Sequence, residues 1–200
     1  NKKDFEEYPK NIQNDIEIAF AGGADAIFLP SKNEIFPNKL DELIYIKASN
    51  SLSANLCGIK RVGHFDGVCT VIYRLLNLVK PKILFLGEKD WQQMLIIKNM
   101  ISEFKLEVEV KTITTHRDKD GVPFSSRNNL LNLNERRSLK LFSKELLNAK
   151  NEFNKKKFCD LKKLSNKLNK LNITIEYLNH VNAFSLKEAS VKDNITLLAG

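Results

Sequence analysis

Two kinds of apolar pattern follow one another along the first half of the chain. Apolar residues that recur every three or four positions predict a helix, because they share one face, and short unbroken apolar runs predict strands that are covered on both faces. The patterns predict helices at 9–22, 67–79 and 90–104 and strands at 25–30, 43–48 and 82–87, and the apolar–polar alternation of 107–113 predicts a further strand. Strands and helices that alternate in this order predict an α/β fold with a parallel, doubly wound sheet.

The composition and the order of predicted elements change after about residue 116. A loop rich in Gly, Pro and Ser leads into helices, and two strand candidates follow. The predicted segments are a loop at 118–128, helices at 133–149 and 150–170, and strands at 173–181 and 194–200. We therefore predict two domains, a parallel-sheet domain over 1–116 and a smaller α+β domain over 117–200.

Charge and cysteine content narrow the class of protein. The formal net charge of +8 permits a nucleic-acid-binding module, but the basic residues are spread out and often lie near acidic ones. The densest basic cluster, 150–170, has helical apolar spacing and predicts an amphipathic helix with a solvated lysine face. Three cysteines without a CxxC spacing predict neither a disulfide framework nor a zinc site, and they are typical of a reducing cytoplasm.

The hydropathy and the N-terminus add two expectations. No apolar run approaches the roughly 20 residues that span a bilayer, so no membrane segment is predicted. The chain begins with Asn, and its first residues lack the apolar core of a signal peptide. We expect a fragment, or a chain without its true N-terminus.

The first candidate site is the sequence Gly87-Glu88-Lys89-Asp90, which joins a predicted strand to a predicted helix. Ligands of open parallel sheets bind outside the carboxyl ends of the strands, where the next helix offers N–H groups to an anion. Gly87 would let the backbone turn and a ligand approach, and Lys89 would add a charge for a phosphate. Asp90 would cap the helix or hold a ribose hydroxyl. The alternative is an exposed turn with an Asp cap.

The second candidate is the sequence "FSSRN" at 124–128. Two hydroxyls beside an arginine at the junction of a loop and a helix suit an oxyanion, because short donors stand next to a fixed guanidinium fork. The alternative is a Ser cap and a surface arginine.

The third candidate is the Gly-rich loop within "IKRVGHFDGVCT", 59–70, which enters a predicted helix. Its Arg61 and His64 would grip a carboxylate or a phosphate, or His64 would be a structural loop histidine. Gln93 lies one turn into the helix that follows Lys89, where it would donate to a polar substrate or remain a plain exposed glutamine.

In combination and in this order, the motifs closely resemble a known family. The segments "RVGHFDGVCTVIYRLLNLVKPKILFLGEKDWQQMLIIKNMI" and "THRDKDGVPFSSRNNLLNLNERR", preceded by "YPKNIQNDIEIAFAGGADAIFLPSKNEIFP", resemble pantothenate synthetases, the pantoate–β-alanine ligases. The resemblance covers nearly the whole chain and is looser beyond about residue 150.

The resemblance implies a fold and an activity. The fold is a Rossmann-like nucleotidyltransferase (HIGH-type) α/β domain with a smaller α+β C-terminal domain. The family forms pantoyl adenylate from pantoate and ATP with release of pyrophosphate, and β-alanine then displaces AMP. Magnesium accompanies ATP, and the family is usually a cytoplasmic homodimer. Neither a nucleic acid nor a membrane is expected as a partner.

The resemblance also implies roles for individual residues. It assigns ATP binding to Gly87, Glu88, Lys89, Asp90, His116, Phe124, Ser125, Ser126 and Arg127, pantoate binding to Gln93, the loop over the active site to Arg61 and His64, and assistance to magnesium to Asp15. Lys89, Ser125, Ser126 and Arg127 are the expected catalytic groups. Three positions depart from the family pattern: Phe124 replaces Met or Leu, His116 replaces Val, and Asn14 stands beside Asp15 where the family has an acidic pair.

One departure concerns the length of the chain. The family's HxGH-type loop and its first strand lie upstream of residue 1, and so does a substrate-binding glutamine. We therefore expect residues 1–200 alone to be inactive. Two rival functions stay open from the residues themselves: a nucleic-acid-binding module, and another adenylyl- or cytidylyltransferase of the same fold.

Overall fold

The structure is a computed structural model that describes residues 11–38, 42–156, 159–171, 173–190, 193 and 196–199. Its contacts divide the chain into two units. The first unit contains the chain up to Leu43 together with Ser125–Leu131, and the second contains Ile44–Phe124 together with Asn132–Gly200. The domain boundary that the sequence predicts after residue 116 stays a prediction.

The first unit contains helix α1, Ile12–Ala21, and a single helical turn, α2, Lys32–Ile35. The side chain of Asn11 begins α1, because it accepts a hydrogen bond from the N–H of Asn14 at 3.1 Å. The helix predicted at 9–22 is confirmed over its described part, since residues 9 and 10 lie outside the described residues.

The strand predicted at 25–30 is wrong. The segment has no strand conformation, and Phe28 and Leu29 are 55% and 60% exposed. A strand needs main-chain hydrogen bonds to a neighbouring strand, and none of the described residues pairs with this segment. The apolar run therefore stays irregular.

The second unit holds the remaining helices and the strands of the described chain. In order they are α3 Asn50–Ser53, α4 His64–Val79, β1 Ile83–Gly87, α5 Trp91–Glu103, β2 Glu109–Ile113, α6 Leu133–Lys156, α7 Leu161–Lys170, β3 Asn179–Asn182 and β4 Thr196–Ala199. Short 3-10 helices lie at Leu56–Ile59 and Glu88–Asp90 of this unit, and at Ser126–Leu130 of the first.

The parallel pair β1 and β2, joined by α5, confirms the α/β prediction. The register pairs Ile83 with Glu109 and Gly87 with Ile113, so both strands end at the same edge. Helices α4 and α5 cover one face of the pair. The buried residues of this core are Ala48, Phe65, Cys69, Leu76, Ile96, Ile97, Met100 and Ile101.

Two predictions about burial are wrong. The unbroken apolar run of β1 predicts that both faces are covered, but Ile83 and Phe85 are 38% and 58% exposed, and only Leu84 and Leu86 pack against the core. The apolar spacing of the helix predicted at 90–104 predicts that Phe104 faces inward, but the residue is 49% exposed. It lies just beyond the end of α5, where the helical face no longer directs it into the core, and its ring contacts Tyr73 with centroids 5.2 Å apart.

The strand predicted at 43–48 is also wrong, because helix α4 supplies its hydrogen-bond acceptors. The N–H of Ile46 donates to Thr70 Oγ1 at 2.9 Å, and the N–H of Ala48 donates to Asp66 Oδ1 at 2.8 Å. Side chains of a helix thus replace the main-chain ladder, and the segment runs along α4 without joining a sheet.

The C-terminal part contains helices α6 and α7 and an antiparallel pair, β3 with β4. The sequence predicts both helices, but the break falls later than expected: α6 continues to Lys156, and α7 begins after Asp160, whose side chain accepts from the N–H of Lys163 at 2.9 Å. Strand β3 is shorter than the strand predicted at 173–181, whereas β4 covers the described part of the strand predicted at 194–200, since residues 194, 195 and 200 lie outside the described residues. None of the helices in the described chain is long and apolar enough to cross a membrane.

Candidate functional site

The junction between β1 and α5 is the centre of the candidate site. Strand β1 ends at Gly87, and one 3-10 turn, Glu88–Asp90, leads directly into α5. The turn does not require a glycine, because Gly87 has φ −77°. A Cβ on Gly87 would meet no atom within 4 Å, so the space beside the strand end is open. This openness suits the close approach of a ligand.

Asp90 precedes α5 without capping it. It occupies the position before the first helical residue, yet its side chain accepts no hydrogen bond from the helix. The alternative interpretation of Asp90 as a helix cap is therefore wrong. The start of α5 lacks a side-chain cap, and a helix start of this kind attracts an anion through its N–H groups and its dipole.

Lys89 lies on the exposed side of the same turn. Its ammonium group donates a hydrogen bond to the main-chain carbonyl of Phe124 at 3.2 Å. An exposed lysine in contact with a neutral oxygen can exchange that oxygen for one of a phosphate, which carries more negative charge.

Phe124 ends a hairpin-like loop that starts at His116. The N–H of Phe124 donates to the carbonyl of His116 at 3.1 Å, and Arg117 forms an antiparallel bridge with Pro123. Gly121 turns the loop with φ +79°, a conformation that favours glycine. His116 itself is exposed, and its main-chain carbonyl is engaged within the loop.

Helix α6 holds this loop in place. Ser143 Oγ donates to the carbonyl of Gly121, which also accepts from Arg117 Nη1 at 2.9 Å. Lys140 Nζ lies 2.6 Å from Asp120 Oδ1, and the hydrogen bond from Lys140 lowers the pKa of that carboxyl. The loop that carries Phe124 towards Lys89 is thus anchored at its far end.

The Gly-rich loop brings Arg61 and His64 together. Arg61 Nη2 lies 3.3 Å from His64 Nδ1, and Gly63 between them has φ +75°. Burial and the guanidinium of Arg61 lower the pKa of His64, while Asp90 acts in the opposite direction. The neutral imidazole is therefore favoured.

Gln92 is a buried polar residue next to the candidate site that the sequence does not single out. Gln93, the predicted substrate contact, is half-buried on α5, whereas its neighbour Gln92 is 6% exposed and hydrogen-bonded. The only signal in the sequence was the Gln-Gln doublet itself, and the helical pattern did not distinguish its two members.

The C-terminal region reaches the same helix start. Trp91 Nε1 donates to the carbonyl of Ala183 at 2.6 Å, and Leu56, Val181 and Leu186 form a buried cluster against which the indole packs. Tyr177 packs there as well, and burial raises its pKa. The sequence offered no signal for these contacts.

The remaining predicted site residues belong to the first unit. Ser125 Oγ accepts from the N–H of Arg127 at 3.3 Å, so the interpretation of Ser125 as a cap is realised. Ser126 and Arg127 are exposed on the 3-10 turn that follows. Asp15 is exposed in the first turn of α1.

A magnesium ion would depend on ATP for most of its ligands. The described residues contain no group of three or more His, Cys, Asp or Glu side chains that could hold a metal ion. Magnesium is commonly bound through substrate phosphates together with one or two carboxylates, so a site of this kind needs no such group. The role predicted for Asp15 stays a prediction.

The sheet and its cationic edge define a class of protein. A parallel sheet with an uncapped helix start and a lysine at its carboxyl edge is the arrangement of α/β nucleotide-binding folds. Solved pantothenate synthetases have the same nucleotidyltransferase fold, as the sequence predicts. The structure of pantoate-beta-alanine ligase from Francisella tularensis, complexed with beta-gamma ATP and beta-alanine, matches with a TM-score of 0.80 and 32% identity, over 90% of this chain and 67% of that one.

The particular family follows from the sequence comparison. The profile of the pantoate-beta-alanine ligase family matches residues 1–200, and the chain belongs to this family. The structure of pantothenate synthetase from Thermus thermophilus agrees, with a TM-score of 0.84 and 29% identity over 98% of this chain and 72% of that one. The resemblance found in the motifs is confirmed.

Curated relatives are longer than this chain. A protein named bifunctional pantoate ligase/cytidylate kinase from Prochlorococcus marinus subsp. pastoris is 59% identical over 200 residues, which are 100% of this chain and 39% of the relative. A second Prochlorococcus marinus protein of the same name is 54% identical over the same length, again 39% of the relative. The chain thus spans about two fifths of the length of these relatives.

Proposed function

We propose that the protein to which this chain belongs ligates pantoate and β-alanine to pantothenate at the expense of ATP, with release of pyrophosphate and AMP. The observation that carries the proposal is Lys89, an exposed cation at the carboxyl edge of the sheet beside the uncapped start of α5. The name of the Francisella tularensis structure, which includes ATP and beta-alanine, supports the choice of substrates.

The first step joins two anions. A carboxylate oxygen of pantoate attacks the α-phosphorus of ATP, a new P–O bond forms, and the bond to the bridging oxygen breaks so that pyrophosphate leaves. Lys89 and Arg127 neutralise the charge on the phosphates, and the hydroxyls of Ser125 and Ser126 donate to phosphate oxygens. Asp15 would contact the magnesium that arrives with ATP, and the ion would supply further positive charge to the phosphates.

The second step forms the amide. The amine of β-alanine attacks the carbonyl carbon of pantoyl adenylate, the C–N bond forms, and the bond to the AMP oxygen breaks while the nitrogen loses a proton to solvent. AMP is a good leaving group, so holding the amine close to the carbonyl carries much of this step.

The remaining site residues are proposed to bind either ATP or pantoate. Gly87, Glu88, Asp90, Phe124 and the main chain of His116 contact ATP, and Gln93, Arg61 and His64 contact pantoate. The proposed protein is a cytoplasmic homodimer without a nucleic-acid or membrane partner.

The test is an assay of the full-length protein with each substrate omitted in turn. Pyrophosphate release should require ATP and pantoate, and AMP formation should further require β-alanine. Lys89→Ala should lower kcat/KM by about a hundredfold or more, the size expected when a charge that stabilises a transition state is removed. Lys82→Ala is the matched control, because Lys82 is exposed just before the opposite end of β1.

Two results would contradict the proposal. Pyrophosphate release that does not need pantoate would indicate a nucleotidyltransferase with another substrate. Equal losses of kcat/KM in Lys89→Ala and Lys82→Ala would mean that Lys89 has no specific role in the reaction.

A further inference from the structure

We infer that Gln92 is a positioning residue that determines where Arg61 stands relative to the β1–α5 junction. The inference rests on the proposed function, because Arg61 is a proposed pantoate contact. Gln92 itself touches no proposed substrate, and its role is to act through the segment that leads to Arg61.

The side chain of Gln92 is buried and satisfied by three hydrogen bonds. Its Nε2 donates to the carbonyl of Leu52 at 2.9 Å and to the carbonyl of Asn55 at 2.7 Å. Its Oε1 accepts from the thiol of Cys57 at 3.1 Å. Both amide hydrogens are used, and the residue is 6% exposed. A buried amide with this set of partners is costly to replace, because each lost bond leaves a buried polar group unsatisfied.

The partners of Gln92 lead to Arg61 through a few short turns. Asn55 precedes the 3-10 helix Leu56–Ile59, whose Gly58 carbonyl accepts from the N–H of Arg61 at 3.2 Å. A Cβ on Gly58 would lie 1.8 Å from the carbonyl oxygen of Ser53, so the turn is packed closely against the preceding helix. A chain this tightly folded transmits the position of Asn55 to Arg61.

The thiol of Cys57 is a second connection between Gln92 and Arg61. The guanidinium of Arg61 acts on Cys57, opposing the rise in the pKa of that thiol caused by burial. Cys57 therefore stands between Gln92 and Arg61, donating to the amide on one side and lying near the guanidinium on the other.

The location of Gln92 on α5 connects these contacts to the strand–helix junction. It lies two residues after Asp90, on the first turn of α5, so it moves with the strand–helix junction that carries Lys89. One side chain thereby links the proposed phosphate-binding junction to the proposed pantoate-binding loop. Displacements of about 1 Å in such an arrangement are sufficient to lower catalytic rates strongly.

Trypsin cleavage of the full-length protein tests the positioning directly. Lys60 and Arg61 are exposed trypsin sites on the loop itself. Gln92→Glu should raise the initial rate of cleavage after these residues about tenfold, since a lost buried hydrogen bond amounts to about 1.4 kcal/mol. Asn77→Asp is the matched control. Its amide also donates to a main-chain carbonyl, that of Tyr73 at 2.8 Å, but on the exposed side of α4. Its cleavage should match the wild type.

A second pair of variants covers the case in which Gln92→Glu fails to fold. Cys57→Ala removes the donor to Oε1, whereas Cys57→Ser keeps one. We expect Cys57→Ala to accelerate cleavage after Lys60 and Arg61, and Cys57→Ser to do so much less. Far-UV circular dichroism establishes that each variant is folded.

The kinetic readout separates positioning from general damage. Gln92→Glu should raise KM for pantoate about tenfold while KM for ATP stays within about twofold, because the loop and not the phosphate site moves. Loop cleavage equal to that of Asn77→Asp, or equal losses for both substrates, would overturn the inference. If the wild type forms no pyrophosphate with pantoate, the proposed function fails, and the cleavage comparison still decides the positioning role.

Discussion

The ammonium group of Lys89 lies 3.2 Å from the carbonyl oxygen of Phe124, although 35 residues separate them in the sequence. Phe124 ends the loop that α6 anchors, and Ser125 follows it directly. The contact thus connects the two sequence motifs that carry the resemblance to pantothenate synthetases. It joins a charged donor to a neutral acceptor at an exposed position, so its contribution to folding is small.

This contact leads to a prediction about stability. Lys89→Met should change the free energy of unfolding by less than about 1 kcal/mol, because exposed charged contacts contribute little. The same variant should lose most of its ligase activity. Urea unfolding followed by circular dichroism measures the first quantity. A loss of stability several times larger would mean that Lys89 serves the fold and not the phosphates.

Two glycines of the second unit should respond oppositely to the same substitution. Gly58→Ala should destabilise the protein by about 2 kcal/mol or more, because the added Cβ would lie 1.8 Å from the carbonyl oxygen of Ser53 and main chain would have to move. Gly67→Ala should stabilise it by about 0.5–1 kcal/mol, because Gly67 lies inside α4 with no atom within 4 Å of the new Cβ. Parallel urea titrations compare the two. Equal effects would contradict the close packing at Gly58.

The bond from Trp91 to Ala183 should contribute measurably to stability. Trp91→Phe keeps an aromatic ring at the start of α5 but leaves the carbonyl of Ala183, a residue only 2% exposed, without its donor. We expect a loss of about 1–3 kcal/mol in the free energy of unfolding. Tyr45→Phe is the control, because Tyr45 is 51% exposed and loses a hydroxyl at the surface. Similar losses in both variants would argue against the Trp91 bond.

Acid should lower the free energy of unfolding of the protein through the protonation of His180. Burial lowers the pKa of this histidine below its ordinary value near 6.5, with Asp193 opposing, and its buried Nε2 has no hydrogen-bond partner among the described residues. Between the folded and unfolded pKa values the unfolded chain binds more protons, so the contribution is complete above about pH 6.5 and is lost as the pH falls below it. The pKa of His64 is lowered as well and adds in the same direction.

Urea midpoints measured from about pH 7.5 to about pH 5 test this dependence. His180→Leu should have a shallower decline than the wild type. An unchanged decline in that variant would assign the acid sensitivity to other groups.

Local patterns predicted the local elements well and the pairing of elements poorly. The helical spacing of apolar residues anticipated α4, α5 and α7, because that spacing directly encodes which face is buried. The apolar runs at 25–30 and 43–48 looked equally strand-like. A strand also needs a partner, and in the second segment the acceptors come from Asp66 and Thr70, side chains of a helix further along the chain.

The sequence likewise identified some of the site residues and failed to identify others. The motifs of this family are contiguous, so the sequence could single out Lys89 and the Arg61–His64 loop. It could not distinguish Gln92 from Gln93, because adjacent helical residues differ in burial only through what packs against the helix.

By itself, the sequence determined the family, the α/β alternation and the candidate residues, because these depend on short motifs and on periodicity within single elements. Tertiary structure alone decided that Gln92 is the buried amide, that Lys89 contacts Phe124, and that Trp91 is bound to Ala183. Those contacts join residues 35 to 92 positions apart. Their geometry depends on how whole elements pack, which no local pattern encodes.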